Sequence, residues 1–153
     1  MFLHLYNLTY CDFIFFVFMI EADIKLRVRY AETDQMGYVY YGNYAAYCEV
    51  GRVEIMRKMG TSYRVLEESG IMMPVIEYNV KYIKPALYDD ELTIRTSVNE
   101  MPRARIRFDY KIYNDTGVLL NDAFTTLVFI KKENNRICPA PQWFLDKLAP
   151  YFQ

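Results

Sequence analysis

The chain has 153 residues, 53% of them apolar, 17% aromatic and 24% charged, which is enough for one core, too short for two ordinary domains, and too apolar for disorder. A net charge of −1, from 18 basic and 19 acidic residues, supplies no field to draw the chain onto a polyanion, so nucleic acid is excluded as a general partner. One His and three well-separated Cys with no C-x-x-C pair make no metal set, and the cysteines read as reduced thiols of a cytoplasmic protein.

Residues 1–20 stand apart from the rest. Sixteen of the twenty are apolar, with no Lys, Arg or Glu, one Asp and the only His. A signal peptide needs a basic start and a small-residue cleavage site, and neither is present. A membrane span needs about 20 predominantly apolar residues, whereas His4, Asn7, Thr9 and Asp12 leave a run of eight, Phe13 to Ile20. The composition favours a natural start at Met19, with the upstream stretch outside the native fold and His4 outside any catalytic role; a packed or membrane-touching extension is the alternative. The domain is expected over 21–153, with no membrane insertion.

From Ile24 to Tyr30 apolar residues alternate with Lys25, Arg27 and Arg29, the pattern of a half-buried strand with Ile24, Leu26, Val28 and Tyr30 inward. A Thr-Asp and two glycines then break the alternation. Asn43 is placed to N-cap a long helix that ends near Met59 before Gly60, and a shorter helix spans about Ser62 to Ser69, closed by Gly70. Tyr44, Tyr47, Cys48, Gly51, Ile55 and Met59 give the long helix a broad apolar stripe.

The remainder alternates with period two: Ile76 to Tyr82, Leu92 to Val98, Ala104 to Ile112, and a last strand from Val118 to about Lys132. Short turns at Pro85–Asp90 and Asn114–Gly117 make these antiparallel neighbours in a meander. One long apolar helix and about five strands, each with a single apolar face, bury themselves economically when the sheet curls around the helix, an α+β architecture.

The chemistry open to this chain is narrow. Without a His in the body there is no Ser-His-Asp or Cys-His set, and without G-x-x-x-x-G-K-[ST] or G-x-G-x-x-G there is no phosphate cradle or dinucleotide site. Carboxylate, hydroxyl and backbone groups remain.

The segment Arg29-Tyr30-Ala31-Glu32-Thr33-Asp34-Gln35-Met36-Gly37-Tyr38-Val39-Tyr40-Tyr41-Gly42-Asn43-Tyr44 resembles the signature of the hotdog-fold 4-hydroxybenzoyl-CoA thioesterase family and its Tol–Pal-associated acyl-CoA thioesterase relatives. The resemblance extends over nearly all of 21–153. It includes Glu49-x-x-Arg52 on the helix and Tyr82-x-Lys84-Pro85-Ala86 leading to Asp90. It implies a hotdog fold, hydrolysis of an acyl-CoA thioester without metal or cofactor, and homodimers or homotetramers with sites at the subunit interface.

By the same resemblance Asp34 attacks the thioester carbonyl or activates water, and the backbone amide of Tyr41 polarises the carbonyl oxygen. Gly37, Gly42 and Asn43 shape the substrate site. Thioester cleavage requires such a carboxylate and such a donor, and a helix start exposes unpaired N–H groups at the positive end of its dipole. Many Tol–Pal-type relatives carry His where Tyr41 stands, and Gln35-Met36 replace the small residues that follow the Asp in the hydroxybenzoyl enzymes, which leaves the acyl group open.

Glu49, which could pair with Arg52 one turn on, is a backup carboxylate, since some hotdog thioesterases use a helix Glu. Arg103, Arg105 and Arg107 form a row that suits a solvated sheet face first and coenzyme A phosphates second. The rival function is a non-catalytic hotdog module that binds acyl-CoA or a protein partner, which has no reason to keep Asp34 together with Gly37 and Gly42.

Overall fold

The computed structural model describes residues 19–152; the expectations for His4, Cys11 and the rest of 1–18 fall outside this range. The elements run β1 (Ile20–Arg27), α1 (Asn43–Lys58), α2 (Tyr63–Glu68), β2 (Ile71–Met72), β3 (Val75–Tyr82), β4 (Glu91–Val98), β5 (Arg105–Tyr113), β6 (Leu119–Val128), β7 (Ile130–Lys131) and α3 (Gln142–Leu148). Five strands form one antiparallel sheet in the order β1-β4-β5-β6-β3, and β2 pairs with β7 in a small ribbon.

Alternation sorts the sheet into two faces. Ile106, Phe108, Tyr110 and Ile112 of β5 and Leu92, Ile94, Thr96 and Val98 of β4 are buried toward α1. The opposite face carries charge, with Arg95 bound to Asp23 at 2.7 Å and to Glu21 at 3.2 Å, and Arg107 to Asp109 at 2.7 Å. Such exposed pairs add little stability, so the inner face holds the fold together.

Helix α1 crosses β1 and β4 at close range. A Cβ built on Gly51 would stand 2.3 Å from Thr96 Oγ1 and 2.9 Å from Ile94 Cγ2, so only glycine lets the helix sit this near the sheet.

Several expectations change. Strand β1 starts four residues earlier than its pattern shows and stops at Arg27, because the Val28 N–H turns to Asp90 O at 3.0 Å and residues 30–32 wind into a 3-10 turn. Tyr30, expected inward, is 78% exposed. Gly42, not Asn43, occupies the N-cap of α1. Asn43 is the first helical residue, and its side-chain amide donates to Glu32 O at 2.7 Å instead.

The last strand breaks after Val128, with Phe129 turned fully inward between β6 and β7. The meander covers only β4, β5 and β6. β3 pairs with β6 rather than with its chain neighbour β4, so residues 83–90 cross the end of the sheet. Eight extended residues reach about 26–29 Å, ample for the roughly 14 Å of three strand spacings.

No pattern in the sequence marks α3. Its seven residues offer two buried apolar side chains, Phe144 and Leu148, too short a pattern to separate from a loop. Phe144 packs edge-on to Phe129 at 5.5 Å. β3 is one of the sheet's two edge strands, β1 being the other, and it is exposed nearly throughout, Ile76, Tyr78 and Tyr82 included. Among the described residues no helix is long and apolar enough to cross a membrane.

Candidate active site

The loop between β1 and α1 is built around Glu32. Its carboxylate accepts from Arg29 N–H at 2.8 Å, Arg29 Nε at 3.0 Å, Arg29 Nη2 at 2.6 Å and the Tyr47 hydroxyl at 2.9 Å. Its carbonyl oxygen accepts from Tyr40 N–H at 2.8 Å and from Asn43 Nδ2. Burial pushes this carboxyl up, but the bonds from Arg29 and then Tyr47 outweigh it and hold it below the ordinary Glu range. The sequence reading missed Glu32 as an organiser; the signal was Arg29 three residues before it and the apolar helix position Tyr47 after it.

Held by that residue, 33–39 folds as a miniature hairpin. Thr33 bridges Val39, Asp34 N–H donates to Tyr38 O at 2.9 Å, and Gly37 N–H donates to Asp34 O at 2.9 Å. The turn requires the positive φ of 77° at Gly37, which costs a side chain and suits glycine. Asp34 Oδ1 accepts from Met36 N–H at 2.8 Å. Asp34 is exposed, and Oδ2 has no partner among the described residues. The hairpin is tied to the 83–90 crossover by the Tyr38–Leu87 bridge and by Val39 N–H to Ala86 O at 2.9 Å.

Between hairpin, crossover and helix start lies a cleft of about 340 Å³, lined by Asp34, Met36, Tyr38, Tyr41, Tyr44 and Tyr82 among others. The N–H groups of Tyr41 and Gly42 find no acceptor among the described residues. They are orphan donors of the kind that precede a helix, at the positive end of α1. The Tyr82 hydroxyl donates to Tyr41 O at 3.1 Å, which fixes the plane of the peptide that carries the Gly42 N–H. A Cβ on Gly42 would stand 2.8 Å from Tyr40 Cε1, so that ring would have to turn aside.

Asp34, Tyr41 and the turn glycine Gly37 thus come together, with Gly42 and Asn43 at the helix start. Glu49 does not join them. It is exposed on α1 and has no ion pair with Arg52, whose guanidinium instead lies 5.6 Å from the Tyr63 ring centre. Arg103 and Arg105 also lie away from the cleft of this chain. Arg105 pairs with Val128, whereas the cleft residue Tyr82 pairs with Asn121, seven positions along β6 or roughly 23 Å. Arg107 is engaged with Asp109 and stacks 3.7 Å over Phe124.

Cys48 is free and buried, and burial pushes its thiol up to about 12, so it stays protonated and unreactive. No group of His, Cys, Asp and Glu among the described residues is arranged to hold a metal.

Residues 28–148 match the family described as the thioesterase-like superfamily. The chain is 36% identical over 110 residues to YneP of Bacillus subtilis, covering 72% of this chain and 80% of YneP. It is 33% identical over 105 residues to the acyl-CoA thioester hydrolase YbgC of Escherichia coli O157:H7, covering 69% and 78% of the two chains. The structure of DHNA-CoA thioesterase from Staphylococcus aureus is similar with a TM-score of 0.80 at 35% identity, covering 86% of this chain and 88% of that one. Sheet, central helix and sequence agree in these likenesses: the chain belongs to the thioesterase-like superfamily and has its hotdog fold.

Proposed function

We propose that this protein is an acyl-CoA thioesterase that works at the cleft between the Asp34 hairpin and the start of α1, releasing a free acid and coenzyme A. The observation that carries the site assignment is that one cleft is lined by an exposed carboxylate with a free oxygen, Asp34, and by Tyr41, whose backbone N–H and that of the adjoining Gly42 have no acceptor among the described residues. A thioester carbonyl seated there directs its oxygen to the Tyr41 and Gly42 amides, which stabilise the negative charge that develops on it. Asp34 either takes a proton from the water that attacks the carbonyl carbon, or attacks that carbon itself; the carbon–sulfur bond then breaks and the thiolate, taking a proton, leaves as coenzyme A, and in the second case water hydrolyses the acyl–Asp34 anhydride to release the acid and restore the carboxylate. The overall balance is thioester plus water to acid plus thiol, with coenzyme A entering only as part of the substrate.

Tyr38, Tyr41, Tyr44 and Tyr82 give the cleft aromatic walls, and one relative acts on the aromatic thioester DHNA-CoA. Both support an aromatic or medium-sized acyl group. The free edge of β3 supports a homodimer formed by edge pairing, since its unpaired backbone and apolar side chains need covering. Free, buried Cys48 and Cys138 and a coenzyme A substrate fit the cytoplasm.

The test is release of free thiol from a panel of short, aromatic and long-chain acyl-CoAs. Turnover of at least one is expected. Binding of acyl-CoA without thiol release establishes the non-catalytic module instead.

A further inference from the structure

We propose that Asn121 provides a hydrogen-bonding position at the inner end of the acyl cleft and selects acyl groups bearing a hydroxyl over plain hydrocarbon ones; this rests on the thioesterase activity proposed above. Asn121 is 0% exposed, and neither its amide oxygen nor its amide nitrogen has a partner among the described residues. A carboxamide offers two donors and two lone pairs. Leaving it unmet in the interior is costly, and an apolar side chain would serve packing alone better. The next polar residue on this face of β6 is treated differently: Thr125 is bonded to the Tyr110 hydroxyl at 2.7 Å.

Register places this amide beside the cleft. Asn121 pairs directly with Tyr82 on β3 and with Ile112 on β5. Directly opposed residues share a sheet face, with Cβ atoms about 4.5–5.5 Å apart. Tyr82, Ile83 and Lys84 line the cleft, and the last two donate their N–H groups to Leu120 O at 2.9 and 3.1 Å. The cleft wall therefore rests on the residue just before Asn121.

Tyr82 is shared by cleft and amide, lining the one and standing opposite the other across the β3–β6 ladder. Tyr82 is 47% exposed; its ring packs edge-on to Tyr44 at 5.4 Å and is held by the hydroxyl bond to Tyr41 O. A shift of the ring that keeps its hydroxyl on Tyr41 O deepens the cleft toward Asn121 and leaves the Gly42 N–H in place. A hydroxyl both donates and accepts, so an acyl group with a terminal hydroxyl meets both needs of the amide, whereas a hydrocarbon end meets neither.

The experiment compares kcat/KM within matched pairs: benzoyl-CoA against 4-hydroxybenzoyl-CoA, and hexanoyl-CoA against 6-hydroxyhexanoyl-CoA. The wild-type protein is expected to prefer the hydroxylated member of at least one pair, and Asn121→Leu to reduce that preference about tenfold. Should Asn121→Leu fail to fold, Asn121→Ser makes the same comparison with a smaller change in volume and a smaller expected reduction. A preference equal in wild type and variant, with thioesterase activity intact, overturns the assignment, and a change confined to thermal stability gives the amide to a buried water. Absence of thiol release from every member of a broader acyl-CoA panel overturns the underlying activity as well, so the two failures are distinguishable.

Discussion

The Tyr47 hydroxyl donates to Glu32 Oε2 at 2.9 Å, joining the central helix to the loop that carries Asp34. Tyr47→Phe removes a bond to a buried carboxylate. It should lower stability by about 1.5–3 kcal/mol at neutral pH and lower kcat through a looser hairpin, read by urea denaturation and steady-state thiol release.

The same bond sets a pH dependence. The Glu32 carboxyl is held below its ordinary value in the folded chain by Arg29 and Tyr47, against the upward push of burial. A group depressed on folding adds stability above its unfolded pKa of about 4.3 and loses it as pH falls through the folded value. The stability gap between wild type and Tyr47→Phe should therefore be full at pH 7 and shrink below about pH 4, measured by denaturation across a pH series.

Asp34→Asn keeps the hairpin's side-chain acceptor for Met36 and removes the charge. The variant should fold and associate as wild type while losing at least about 10²-fold in kcat, the lower range of a positioned acid–base group. Undiminished turnover would remove Asp34 from the mechanism.

At the crossing of helix and sheet, Gly51→Val has no room, with Thr96 Oγ1 2.3 Å from the first added carbon. A loss of at least about 1–3 kcal/mol follows from overpacking, seen as a lowered midpoint of thermal unfolding. Gly37→Ala tests a different cause at a similar scale, since nothing crowds its Cβ and only the positive φ opposes it.

Much of this fold is legible in the sequence. Alternation in β4, β5 and β6 and the stripe on α1 are direct readings of burial, because each side chain there faces either core or water. Strand order is not, since alternation says which face is buried but not which strand lies alongside. Thus the short turn after β3 suggests β4 as its neighbour, whereas the strand pairs with β6. Asp34, Gly37 and Tyr41 were legible through their resemblance to a family. Glu32 was harder to find because its role lies in contacts to Arg29, Tyr40, Asn43 and Tyr47, three of which involve backbone groups that every residue possesses. Asn43 shows the same limit: a good capping residue, it spends its amide on the Glu32 carbonyl once that carbonyl is within 2.7 Å.

β3 has a double duty: its last residue, Tyr82, lines the cleft, and its outer border is one of the sheet's two unpaired margins. Whatever docks along that margin stiffens the strand from which the cleft wall projects. If the partner there is a second copy, as proposed above, specific activity should depend on enzyme dose, falling on dilution as the pair dissociates, and Tyr78→Lys on the exposed strand should move that fall to higher concentration. Light scattering and thiol release over the same dilution series would show the two declines together.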